Sequence, residues 1–115
     1  MRKLITASIL ASVFFLNARA QQGNASELQQ IETTVNWYFD GWATGDSTKV
    51  GRAMHSTCHL KFFRDGKFSD ITRADYLSRF KLHARPDSLI TRIASIDLTG
   101  NIASVKAEII TATDI

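Results

Sequence analysis

The stretch FDGWATGDSTKVGRAMH, residues 39–55, decides the fold. An aromatic run leads into Gly41, and Gly45-Asp46 then interrupts the pattern before a shorter run ends in His55. Glycine without a Cβ accepts the left-handed conformation that closes a helix. Aspartate is a strong N-cap, because its carboxylate accepts from the first free amides of the helix that follows. Gly45-Asp46 therefore reads as helix-stop followed by helix-start. The chain turns a corner there, and a second helix near 47–54 delivers His55.

Upstream, apolar residues fall at Leu28, Ile31, Val35, Tyr38, Phe39 and Trp42. Gaps of three and four mark one helical face and predict a helix over 27–44. Ser26 is the expected N-cap, with Gln29 completing a near capping box. Residues 21–26 are polar and expected to be flexible; Asn24-Ala25-Ser26 also matches a glycosylation acceptor, meaningful in a eukaryotic secretory path. Downstream the period changes. Cys58, Leu60 and Phe62 alternate with His59, Lys61 and Phe63, which predicts a strand over 58–64. Asp65-Gly66 is a hairpin turn, with a short return strand over 67–71. Thr72 followed by Asp75 opens a third helix over 73–82, with Tyr76, Leu77 and Phe80 on its apolar side. Beyond the breaker Pro86, strands over 88–99 and 102–113 meet at Gly100-Asn101, and Ala103, Val105, Ala107 and Ile109 share one face. The order helix, helix, hairpin, helix, strand, strand is that of an α+β chain with an antiparallel sheet.

The first twenty residues belong to a different logic. Arg2 and Lys3 precede an apolar run from Leu4 to Leu16, and Ala18-Arg19-Ala20 places small residues at a cleavage site. This is the pattern of a signal peptide over 1–20, with a mature start at Gln21 and a secreted or periplasmic destination. The run is shorter than the about 20 residues a membrane span needs, and no cysteine follows to carry a lipid anchor. The chain has 14 Lys+Arg against 11 Asp+Glu. Arg2, Lys3 and Arg19 leave with the leader, so the mature chain is formally neutral and carries no basic patch for nucleic acid. Cys58 is the single cysteine, which excludes an internal disulfide. His55, Cys58 and His59 suggest metal spacing, but His83 stands alone and no second ligand cluster follows. No metal and no cofactor is expected.

The ordered set of motifs in WYFDGWATGDSTKVGRAMHSTCHLKFFRDGKFSDITRADYLSRF, with the later SIDLTGNIASVKAEI, resembles the family described as Putative lumazine-binding. That family belongs to the nuclear transport factor two-like (SnoaL-like) superfamily. The resemblance covers roughly residues 31–115. It implies a curved antiparallel sheet packed on three helices around an apolar pocket, in a domain over 27–115. Family members continue with one or two more strands, so the end of the strand pattern at Ile115 reads as a C-terminally truncated domain. The superfamily includes steroid isomerases and polyketide cyclases. On the Tyr-to-Gly-Asp spacing, Tyr38 falls where the isomerases keep an oxyanion-hole tyrosine, but Phe62 stands where their aspartate base belongs. The isomerase activity is therefore not carried over.

Tyr38 and Trp42, at i and i+4, share one helix face, and with His55, Leu60 and Phe62 they are the candidate pocket residues. No residue is assigned as catalytic. Three readings compete: an exported small-molecule-binding domain for a small apolar or aromatic ligand, a cyclase or isomerase using Tyr38 and His55, and a dimeric interaction module without ligand. A homodimer through the sheet remains open under each. Nucleic acid and a stable membrane anchor are excluded as partners.

Overall fold

The computed structural model describes residues 24–112. The expected leader over 1–20, residues 21–23 and the last three positions of the final strand pattern lie outside the described residues. Residues 24–31 are helical and, except for half-buried Ile31, exposed. The compact body begins at Glu32. Its elements are helix α1, ending at residue 44 of the helical stretch 24–44, α2 (Ser47–Arg52), β1 (His59–Arg64), β2 (Lys67–Thr72), α3 (Arg73–Leu77), β3 (Ile90–Thr99) and β4 (Ile102–Ile110). The chain is α+β with antiparallel strands, as the order of motifs predicts.

The corner after α1 is built as its sequence demands. Gly45 takes φ 66°. Its amide donates to the Trp42 carbonyl at 3.4 Å, and that of Asp46 reaches the Gly41 carbonyl at 2.8 Å. Those two bonds make the paired closure that satisfies the last carbonyls of a helix. The Asp46 carboxylate then accepts from the Thr48 and Lys49 amides at 3.0 and 3.3 Å and starts α2. The corner is tight: a Cβ on Gly41 would lie 2.6 Å from the Val50 nitrogen. That approach seats the fully buried Val50 on α1; among the described residues Phe39, Ala43 and Leu89 are the other buried apolar side chains.

At its far end α2 is capped from elsewhere. Arg73 donates from Nε to the Met54 carbonyl and from Nη2 to the Gly51 carbonyl, both at 3.0 Å. Thr72 accepts from the Asp75 amide at 3.2 Å and opens α3, as its motif predicts. So one turn of chain both starts α3 and closes α2.

The strands form two separate two-stranded sheets among the described residues. In the first, His59 pairs with Thr72 and Arg64 with Lys67. Asp65 and Gly66 turn the hairpin with φ of 52° and 74°, the twist that matches antiparallel strands. In the second, Ile90 pairs with Ile110 and Thr99 with Ile102, and Gly100 makes the turn at φ 57°. Ala94 is passed over, because Ile93 faces Ala107 while Ser95 faces Lys106. This bulge leaves Thr91, Ile93, Ile96 and Leu98 opposite Ile109, Ala107, Val105 and Ala103, all on one face. On the other face Arg92 donates to Glu108 and holds its carboxyl below the usual carboxylate range.

Several boundaries differ from expectation. Residues 24–26 are helical, so Ser26 lies inside the helix and does not cap it, and the expected loose segment is absent at those positions. Helix α2 stops at Arg52 because Arg73 takes up the carbonyls there. Helix α3 ends at Leu77, short of the expected 82. The reason is that the chain must cross back to α1, where the His83 amide donates to the Thr44 carbonyl at 2.8 Å. Only glycine fits at position 45 beneath that crossing, since a Cβ there would lie 1.9 Å from the Lys81 oxygen.

Candidate functional site

A cleft of about 510 Å³ opens between the C-terminal half of α1, β1 and α3. Tyr38 and Trp42 come from α1, Leu60, Phe62, Phe63 and Arg64 from β1, and Tyr76, Arg79 and Phe80 from α3 and the turn after it. The i, i+4 spacing on α1 turns Tyr38 and Trp42 the same way. Alternation along β1 presents Leu60 and Phe62, both half-buried, while His59 and Lys61 stay exposed.

At the centre the Tyr38 and Tyr76 hydroxyls meet at 2.6 Å. Their rings stack at 6.5 Å with planes 13° apart, and Phe80 sets its edge on Tyr76 at 5.0 Å. Burial, and then the bond to Tyr38 and the charge Tyr38 would carry, push the Tyr76 hydroxyl well above the ordinary tyrosine range. Tyr76 therefore stays protonated at any physiological pH and acts as a neutral hydrogen-bonding group. In the pair one O–H is spent on the other oxygen, which leaves one phenolic proton free to donate to a ligand.

Four of the five residues picked from sequence, Tyr38, Trp42, Leu60 and Phe62, line this cleft together. His55 does not. It is exposed after α2, where its Nδ1 accepts from the Thr57 amide at 3.2 Å and lies 2.9 Å from the Thr57 hydroxyl. A local turn thus ties the imidazole to Thr57, and His55 does not line this cleft with Tyr38. Sequence reading missed Phe63, Arg64, Tyr76, Arg79 and Phe80. Tyr76 and Phe80 repeat the i, i+4 aromatic spacing of Tyr38 and Trp42, and that repeat was the available signal.

The chemistry open to this arrangement is stacking and hydrogen bonding. None of the described residues lining the cleft is an aspartate, glutamate or histidine, and Phe62 is one of its aromatic walls. Cys58 is half-buried and free. Among the described residues no cluster of three His, Cys, Asp or Glu side chains could hold a metal ion. None of the described helices is long and apolar enough to cross a membrane.

Helices at a cornered α1–α2 step, an aromatic cleft beside β1 and a long terminal hairpin are compatible with the cone of the nuclear transport factor two-like superfamily. Within it, the chain belongs to the family described as Putative lumazine-binding, whose model matches residues 26–114. No curated protein and no solved structure matches the chain significantly.

Proposed function

We propose that the protein is an exported small-molecule-binding domain that takes a flat aromatic ligand in the cleft between α1, β1 and α3. The observation that carries this reading is the lining itself. Rings from Tyr38, Trp42, Phe62, Phe63, Tyr76 and Phe80 surround a space of about 510 Å³, within the range usual for ligand pockets, which are mostly apolar with few oriented polar groups. The hydroxyl pair supplies the oriented polar group. The family description, Putative lumazine-binding, points the same way, toward a small planar ligand with fused rings.

The test is fluorescence. Trp37 is 39 % exposed and Trp42 half-buried at the cleft, so Trp37→Phe leaves Trp42 as the reporter. Titrating the neutral probe 2-naphthamide should give saturable quenching that weakens severalfold in Phe80→Ala. Quenching that rises linearly, without saturation, would count against a ligand cleft.

Export rests on the pattern of residues 1–20. Material recovered outside the cytoplasm should begin at Gln21, and an intact mass that still includes Arg2 and Lys3 would reject cleavage there.

A further inference from the structure

We infer that the ligand of this cleft is an anion: an aromatic or apolar molecule bearing a carboxylate, sulfonate or phosphate. The inference rests on the proposed binding function and adds the charge of what is bound.

Two guanidinium groups reach the cleft from different elements. Arg64 ends β1, and Arg79 lies in the turn after α3. Neither is neutralised. The ion pairs among the described residues join His59 and Lys61 to Asp70 and Arg92 to Glu108, and none involves Arg64 or Arg79. No carboxylate lines the cleft. In a chain whose mature part is formally neutral, this gathers two positive charges at one mouth.

The surroundings suit an acid group better than bulk solvent would. Arg64 lies with Cζ 5.6 Å from the centre of the Phe62 ring. Stacking on an aromatic face limits the positions of a guanidinium and leaves its N–H edge for a planar oxyanion. Arginine is the side chain that matches carboxylate and phosphate with paired bonds. The free proton of the Tyr38–Tyr76 pair adds a neutral donor deeper in the same cleft. Aromatic walls for the ring, and two guanidinium groups with no carboxylate among the lining residues to oppose them, together describe an amphiphilic anion. A neutral apolar guest would gain nothing from either guanidinium group, whereas an anion would gain a charge-assisted contact.

The experiment compares 2-naphthoate with 2-naphthamide, which share a ring system and differ in charge, on the full chain by calorimetric titration at pH 7. Naphthoate should bind at least about tenfold tighter, a difference that one charge-assisted contact can supply. Arg64→Gln and Arg79→Gln should each reduce that preference, and the double variant should abolish it, so that the two probes bind alike. Arg79→Lys should keep part of it. Added salt should weaken naphthoate alone. Equal affinity for the two probes overturns the inference while the binding function stands. Saturable binding of neither probe overturns both. Circular dichroism of each variant separates lost binding from lost folding.

Discussion

Arg73 closes a helix that it does not belong to: its Nη2 donates to the Gly51 carbonyl of α2 at 3.0 Å. A Cβ on Gly51 would come within 2.8 Å of that nitrogen. The glycine thus makes room for the arginine, and the two positions should be coupled. Arg73→Met should destabilise the domain by about 2 kcal/mol, since hydrogen bonds from a charged donor are lost at partly buried carbonyls. Gly51→Ala should destabilise the native chain yet stabilise the Arg73→Met variant by up to about 1 kcal/mol, the ordinary helix preference of alanine. Urea unfolding of the four members of this cycle checks the change of sign.

Gly45 and Gly66 have positive φ values of 66° and 74°, but their surroundings differ. A Cβ at Gly45 collides with the Lys81 carbonyl, whereas one at Gly66 meets nothing within 4 Å. Gly66→Ala should therefore cost about 1 kcal/mol of backbone strain. Gly45→Ala adds a steric clash with rigid backbone and should cost about 3 kcal/mol or more. Thermal unfolding of the two variants side by side decides the order, and equal losses would mean that the crossing at Lys81 is looser than described.

The Tyr38–Tyr76 pair makes stability depend on alkaline pH. The Tyr76 hydroxyl is raised in the folded chain, so at high pH the unfolded chain loses this proton first. The stabilisation is complete below the ordinary tyrosine value near 10 and declines as pH rises from there toward the folded value. Unfolding free energy measured in urea should fall above about pH 10, and Tyr76→Phe should flatten that fall. At neutral pH the same substitution should cost about 1 kcal/mol for the hydrogen bond to Tyr38.

His55 lies outside the cleft lining, tied to Thr57. His55→Ala should leave naphthalene-probe affinity within about twofold of the unsubstituted chain, whereas Phe62→Ala should weaken it by about tenfold through lost ring contact. Calorimetric titration of both variants makes the comparison. A large loss in His55→Ala would return the histidine to the binding site.

What could be read from the sequence follows from how local the cause is. Gly45, Asp46, Asp65-Gly66 and Thr72 act within a few residues, and each turn or cap lies where its chemistry puts it. Tyr38, Trp42, Leu60 and Phe62 were legible because helix and strand periods place side chains on faces. The length of α3 was not, since it is cut short by a contact with Thr44, far away in sequence. The cations of the cleft escaped for the same reason: nothing local brings Arg64 and Arg79 to one opening. The contact of His55 with the amide and hydroxyl of Thr57 could not be read from the sequence either, because periodicity does not report such bonds.

The pairing that passes over Ala94 turns β3 into two reading frames. Before it, odd-numbered positions (Thr91, Ile93) share the face of Val105 and Ile109; after it, even-numbered ones (Ile96, Leu98) do. An unbroken ladder would send Ser95 and Asp97 to that face and turn Ile96 and Leu98 away. Parity along this strand is therefore a property of each half alone. Removing Ala94 would merge the two halves into one regular alternation, with Thr91, Ile93, Ile96 and Leu98 still on one face and no bulge needed to keep them there. The same frame shift explains why ITRIASIDLT shows no single alternation from end to end: the strand is amphipathic twice, out of phase with itself.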